Sequence, residues 1–206
     1  MPTEVKTPFR LGAGALQHLM AHRRPFLMVD QIDDFQSAPR PTLHASRSIS
    51  INEPVFDGHF PDLPLWPGAY TLEGLAQTSN LLMVLDTALH RAEERGRRPE
   101  EILDALRMLD RATRLQQAMR PEALELLASL SRGRAELIGF AAAVDVKFTH
   151  PVFAGQKLEY RALLEHRLGD MLRFEVEATC EGRSVARGTL TSAVNVVPAL
   201  VAPPAK

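Results

Sequence analysis

Apolar residues recur at every second position in five segments of the chain, a period typical of half-buried β-strands. The segments are 43–51, 140–148, 158–164, 172–180 and, with a weaker alternation, 185–197. Within the first segment, Arg47 is the one position that breaks the pattern. Turn sequences at Leu168-Gly169-Asp170 and Glu181-Gly182-Arg183 join the last three segments as hairpins. The pattern predicts an antiparallel sheet.

A different pattern begins at Pro67-Gly68, where apolar side chains surround nearly every side of a helix predicted to end near Leu85. Proline suits the first turn of a helix because its missing N–H is not needed there. A helix that is apolar on almost all sides has to be enclosed by other structure. We therefore expect the sheet to curl around this helix. Glu73 and Gln77 are its polar exceptions, one turn apart on one face.

Residues 86–134 differ from both patterns because they are rich in Arg, Glu and Leu. Helices are predicted to begin at Pro99 and Pro121, the second ending near Gly133, and to form an amphipathic hairpin. We predict a single α+β domain over residues 1–206, with 86–134 inserted within it. The tail 198–206 is predicted to be disordered.

The amino-acid composition and charge indicate which classes of function are not supported. The 206 residues are 45% hydrophobic, which suits one globular domain, and 24 Lys+Arg nearly balance 25 Asp+Glu. Charge therefore gives no argument for binding nucleic acid or a membrane surface. The single cysteine, Cys180, excludes an intrachain disulfide and is expected to be a buried structural thiol. Without an apolar signal peptide or membrane segment, we expect a cytoplasmic protein.

The candidate chemistry lies around Gly58-His59-Phe60-Pro61 and the helix that follows. His59 suits removal of a proton because the ordinary pKa of histidine lies near neutrality. Gly68 offers an unpaired N–H at a helix start, where negative charge is stabilised. Apolar surroundings are expected to raise the pKa of Glu73, so that it can act as an acid. These are the three roles needed to eliminate water from a 3-hydroxyacyl thioester.

Each candidate residue also has a structural interpretation. A lone histidine in a proline-rich loop often serves only as a hydrogen-bond partner, and a buried glutamate can pair with arginine. Gly68 can simply begin the helix, and Trp66 can either line an acyl channel or fill the core. Gln77 either orients Glu73 or satisfies buried backbone groups. The combined motif favours the catalytic interpretation of His59 and Glu73.

Other sites are not indicated. His22 is expected to anchor a turn, and the remaining histidines have no metal-ligand spacing. The sequence also contains no phosphate-cradling glycine loop. We therefore expect neither a metal nor an organic cofactor.

Three segments together resemble the FabZ-type 3-hydroxyacyl-acyl carrier protein dehydratases, which have the hotdog fold. They are HRRPFLMVDQI (22–32), NEPVFDGHFPDLPLWPGAYTLEGLAQ (52–77) and FAAAVDVKFTHPVFAGQKLEY (140–160). The resemblance implies an antiparallel sheet wrapped around a central helix, and a homodimer or higher oligomer whose sheets join. It also implies that His59 and Glu73 form a catalytic pair contributed to one site by opposite subunits. The helical segment 86–134 departs from the family's short connector.

The reaction that the resemblance implies converts 3-hydroxyacyl thioesters on acyl carrier protein to trans-2-enoyl products, in fatty-acid or polyketide-type biosynthesis. Glu73 favours a simple dehydratase, since a related dehydratase-isomerase family carries Asp at that position. Two alternatives stay open. One is a catalytically silent or heteromeric hotdog subunit that binds acyl carriers, and the other is an enoyl-thioester isomerase or thioesterase.

Overall fold

The computed structural model describes residues 9–119, 121, 123–125, 127–128 and 139–194. The helices are α1 (Ala13–Leu19), α2 (Gly68–Glu94) and α3 (Pro99–Leu115), with a short 3-10 helix at Pro54–Asp57. The strands are β1 (Gln31–Gln36), β2 (Thr42–Ser48), β3 (Phe140–Phe148), β4 (Lys157–Leu168), β5 (Met171–Cys180) and β6 (Arg183–Ala193). The described residues between 121 and 128 are also helical.

The strands form one antiparallel sheet in the order β1-β2-β4-β5-β6-β3. Both predicted hairpins are present, and positive φ angles at Gly169, Glu181 and Gly182 form their tight turns. Strand β1 was not predicted, because consecutive aspartates interrupt its alternation where the β1–β2 register shifts, between Ile32 and Asp34. Strand β3 lies at one edge of the sheet, which becomes important for the site.

Helix α2 lies against the sheet and contacts five of its six strands, so the predicted sheet around a central helix is confirmed. Its leucines at 75, 81, 82 and 85 are completely buried. Gly74 lets the helix approach β4 closely, because a Cβ there would collide with the buried ring of Tyr160. The core therefore holds in place the helix that carries Gly68, Glu73 and Gln77.

Two predicted boundaries are wrong. Helix α2 does not end near Leu85 but continues to Glu94, because Ala88, Leu89 and Ala92 remain buried on its inner side. Strand β2 ends at Ser48, and Ile51, expected to be buried, is 61% exposed in the turn that follows.

Arg47, which breaks the alternation of β2, is buried because its charge finds partners. Its guanidinium donates to the Leu27 carbonyl and the Glu53 carboxylate, and lies 5.1 Å from the centre of the Trp66 ring. These contacts give both terminal nitrogens of the buried guanidinium a hydrogen-bond acceptor. A strand position that looked discordant in the sequence thus joins β2 to the loop before α2.

The predicted amphipathic helix at Pro99 is confirmed as α3, which packs on α1 and α2 through Ile102, Leu106 and Leu109. Asp110 of α3 also accepts a hydrogen bond of 2.8 Å from the Gly12 N–H, at the start of α1. The predicted helix end near Gly133 and the tail 198–206 lie outside the described residues. That 86–134 is an insertion within a single domain stays a prediction.

Cys180 is buried as predicted, and burial together with the nearby Glu181 and Glu159 raises the pKa of its thiol. A raised pKa disfavours the thiolate that a nucleophilic cysteine needs. Among the helices of the described residues, none combines the length and apolar character needed to span a bilayer.

Candidate active site

The loop between the 3-10 helix and α2 fixes the ring of His59 through a backbone carbonyl. Nδ1 lies 2.8 Å from the Leu65 oxygen, and the His59 N–H donates to the Val55 carbonyl at 2.9 Å. Because a carbonyl oxygen can only accept, Nδ1 must carry the hydrogen. In the neutral ring, Nε2 is then the unprotonated nitrogen and can act as a base.

His59, Gly68 and Trp66 lie together on one cavity of about 480 Å³. Its other lining residues are Leu65, Thr71, Phe148, Thr149, His150, Pro151, Val152 and Val185. Gly68 is the first residue of α2, so its N–H has no acceptor within the helix and lies at the positive end of the helix dipole. A Cβ at this position would lie 3.3 Å from the Phe148 ring. The sequence-predicted base and anion-stabilising group therefore share one cavity.

Trp66 is a core residue that also borders a cavity, and its place beside an acyl channel stays a prediction. The ring is buried between the Arg47 guanidinium, Phe56 and Tyr70, as a core residue would be. It also lines the cavity of His59. Its backbone N–H donates to the Val152 carbonyl at 2.8 Å, which ties the segment before α2 to the segment after β3.

Gln77 orients Glu73 and also satisfies backbone groups, so both of its interpretations hold. Its Oε1 accepts from the Met28 N–H at 2.8 Å, and its Nε2 donates to the Phe26 carbonyl at 2.7 Å. These two backbone groups fix which end of the amide is oxygen and which is nitrogen. The same Nε2 donates to Glu73 Oε1 at 2.8 Å.

Glu73 lies in a second cavity of about 220 Å³, whose surroundings are more polar than expected. Its side chain is 24% exposed, and Oε1 is also 3.7 Å from Nε2 of His22. Apolar residues such as Phe140 and Phe174 line this cavity, as expected, but residues 22–28 also fold over this face of α2 and add an imidazole and backbone groups that were not expected. Sequence reasoning considered His22 only as a turn anchor.

Within one chain, His59 and Glu73 line different cavities. Both cavities are nevertheless bordered by the edge strand β3. Phe148, at its C-terminal end, lines the His59 cavity, whereas Phe140 and Ala141, at its N-terminal end, line the Glu73 cavity.

Two further polar residues of the His59 cavity, Thr71 and His150, were also missed. The ring of His150 is held by the Ser184 carbonyl, 3.0 Å from Nδ1. The signal that could have indicated His150 is its position two residues after β3, a strand that borders the site. No group of three or more His, Cys, Asp or Glu side chains arranged to hold a metal occurs in the part of the chain that the structure describes.

The chain is similar in sequence to known proteins. The family model of the FabA-like domain matches residues 20–107, which include all five predicted site residues. A protein of Polynucleobacter necessarius named 3-hydroxyacyl-[acyl-carrier-protein] dehydratase FabZ is 28% identical over 190 residues, covering 92% of this chain and 97% of that protein. A Vibrio parahaemolyticus protein of the same name is 48% identical over 82 residues, covering 40% of this chain and 51% of that protein.

Among solved structures, the dehydratase heterocomplex ApeI:P from Xenorhabdus doucetiae contains a similar chain, with a TM-score of 0.52 and 14% identity. The match covers 95% of this chain and 98% of that one. At 14% sequence identity, this similarity is evidence for the fold alone. The predicted hotdog fold is confirmed.

Proposed function

We propose that the chain eliminates water from 3-hydroxyacyl thioesters and forms trans-2-enoyl thioesters, because it matches the model of the FabA-like domain and is similar to proteins named 3-hydroxyacyl-[acyl-carrier-protein] dehydratase FabZ. The observation that carries the proposal is the hydrogen bond from His59 Nδ1 to the Leu65 carbonyl. It leaves Nε2 as the basic nitrogen of a ring that lines the same cavity as the start of α2. The substrate's carrier is acyl carrier protein.

In the proposed reaction, His59 Nε2 takes the proton from C2 of the substrate. Negative charge develops on the thioester oxygen, and the Gly68 N–H stabilises it at the helix start. Glu73 gives its proton to the C3 hydroxyl, the C3–O bond breaks, and water leaves as the C2–C3 double bond forms. His59 then holds one proton more and Glu73 one fewer than at the start, and exchange with solvent restores both.

The proposed site is completed by a second copy of the chain, paired along β3. One edge of strand β3 pairs with none of the other described strands, and Phe140, Val144 and Phe148 are each about half exposed. Edge strands with exposed apolar side chains are templates for pairing with another strand. A second copy of the same strand is a suitable partner, since two-fold pairing matches a surface with itself.

This pairing would bring the two cavities together. An antiparallel pair of β3 strands, related by a two-fold axis near Val144, sets Phe148 of one subunit beside Phe140 of the partner subunit. The first residue borders the His59 cavity and the second borders the Glu73 cavity. Each dimer would then hold two sites, and in each site the base and the acid come from opposite chains.

Mass spectrometry of carrier-bound substrates tests the reaction. Acyl carrier protein loaded with 3-hydroxyacyl chains of several lengths is incubated with the purified protein alone. We expect a product that has lost one water. Unchanged mass with a shifted double bond, starting from an enoyl thioester, would indicate an isomerase. Release of the free acid would indicate a thioesterase, and no turnover with any chain length would contradict the proposal.

A further inference from the structure

We propose that His22 is a positioning residue for the acid Glu73. Its Nε2 lies 3.7 Å from the carboxyl oxygen Oε1, which already accepts a hydrogen bond from the Gln77 amide, and we place the acidic proton on the other oxygen, Oε2. This inference rests on the proposed function, since it deepens the role of Glu73 in the elimination.

The surroundings of the His22 ring determine which of its nitrogens carries the hydrogen. Nδ1 is buried and has no hydrogen-bond partner among the described residues. A buried N–H without an acceptor is costly, and such orphaned donors are rarer in proteins than under-satisfied acceptors. The hydrogen therefore belongs on Nε2, which lies 3.7 Å from Glu73 Oε1. A small movement of the ring would complete the hydrogen bond, and such contacts commonly tighten when substrate binds.

His22 is held in this place by its neighbours. The Arg23 guanidinium donates to the carbonyls of Gln17 at 2.8 Å, Met20 at 2.7 Å and His22 at 2.8 Å. Arg23, and not the His22 ring, therefore anchors the turn after α1. On the other side, Gln77 binds the Phe26 carbonyl, and the Phe26 ring lies 6.1 Å from the His22 ring.

The chemical consequence concerns the moment of proton transfer. When Oε2 gives its proton to the leaving hydroxyl, negative charge spreads over both carboxyl oxygens of Glu73. N–H groups at Oε1 stabilise that charge, and hydrogen bonds to charged groups are stronger than those between neutral groups. Loss of the His22 donor should therefore slow the chemical step more than it weakens substrate binding.

Steady-state kinetics of four variants test the inference. We expect His22→Ala to lower kcat about 10- to 100-fold, the range of one charged hydrogen bond, while KM changes less than about threefold. His22→Gln, whose amide can place an N–H near the position of Nε2, should recover most of the rate. His22→Asn is one methylene shorter and should not. His166→Ala, at an exposed position of β4, is the matched control and should behave as wild type.

Unchanged kcat in His22→Ala would overturn the inference, and so would equal rates in the Gln and Asn variants. If thermal unfolding shows that the alanine variant does not fold, the comparison of Gln with Asn decides. Glu73→Gln shows whether a negative result concerns the role of His22 alone or the proposed acid itself. If Glu73→Gln is inactive and His22→Ala is fully active, only the proposed role of His22 is contradicted. If Glu73→Gln is fully active, the assignment of Glu73 as the acid is contradicted.

Discussion

At the scale of single residues, the tautomer and orientation of the site's side chains are fixed mainly by hydrogen bonds to backbone groups. The Leu65 carbonyl selects the tautomer of His59, and the Phe26 carbonyl and Met28 N–H select the orientation of the Gln77 amide. Each of these groups belongs to an irregular segment held against α2. The proton transfers proposed for His59 and Glu73 therefore depend on these irregular segments keeping their positions against α2.

The N–H of Gly68 can be tested separately from the space around it. Gly68→Pro removes this N–H but suits the first turn of a helix, and Pro67 already has the extended backbone (φ −61°, ψ 131°) required before proline. We expect kcat to fall about 10²–10³-fold, as for loss of one oxyanion donor. The measurement is turnover of a crotonyl thioester in the hydration direction.

Gly68→Ala is the control for that experiment, because it keeps the N–H and adds only a Cβ near the Phe148 ring. It should retain more activity than the proline variant. Equal activity of the two variants would mean that the N–H does not stabilise the developing charge.

At the scale of elements, part of the architecture could be predicted and part could not. Strands β3 to β6 and the start of α2 follow from period and turn residues, which are local signals. The end of α2 does not, because only the fold shows that Ala88 and Leu89 are buried. The contact of His22 with Glu73 was missed for the same reason, since the two residues are far apart in sequence.

Helix α2 carries a buried carboxyl that predicts a pH dependence of stability. Burial raises the pKa of Asp86 above its ordinary value of 3.8, although His90 and Arg167 oppose the shift. The folded state then binds more protons than the unfolded state, so stability falls as pH rises from about 3.8 through the folded value. Asp86→Asn should remove this part of the pH dependence. As pH rises, the free energy of unfolding of the variant should therefore increase relative to that of the wild type.

Urea unfolding at a series of pH values measures the difference. Asp104→Asn, at an exposed position of α3, serves as the control and should parallel the wild type. If the Asp86→Asn curve also runs parallel to the wild type, burial of Asp86 does not contribute to the pH dependence.

At the scale of the whole molecule, the edge strand β3 decides whether the site is complete. Its pattern was readable from the sequence, but its position at the edge of the sheet was not, because the chain crosses from β3 to pair with β6. The five predicted site residues lie in two groups, with His59, Trp66 and Gly68 at one cavity and Glu73 and Gln77 at the other. In the proposed dimer the two groups are joined only when two chains pair, and the alternation of residues within one chain does not reveal such pairing.

Val144, near the proposed two-fold axis and 47% exposed, tests the assembly. Val144→Glu would set two like charges against each other across the axis, so the dimer should dissociate. We expect sedimentation to show a folded monomer and activity to be lost with the dimer. A monomer with full activity would show that one chain contains a whole site.

The most direct test of the central claim mixes two inactive variants. His59→Ala and Glu73→Gln each lose one member of the pair, and each alone should be about 10²-fold or more below wild type. When the two chains are co-expressed in equal amounts, half of the dimers are mixed, and one of the two sites in each mixed dimer regains both native residues. Activity should therefore return to about a quarter of the wild-type value. No recovery, with mixed dimers demonstrated, would contradict a site shared between subunits.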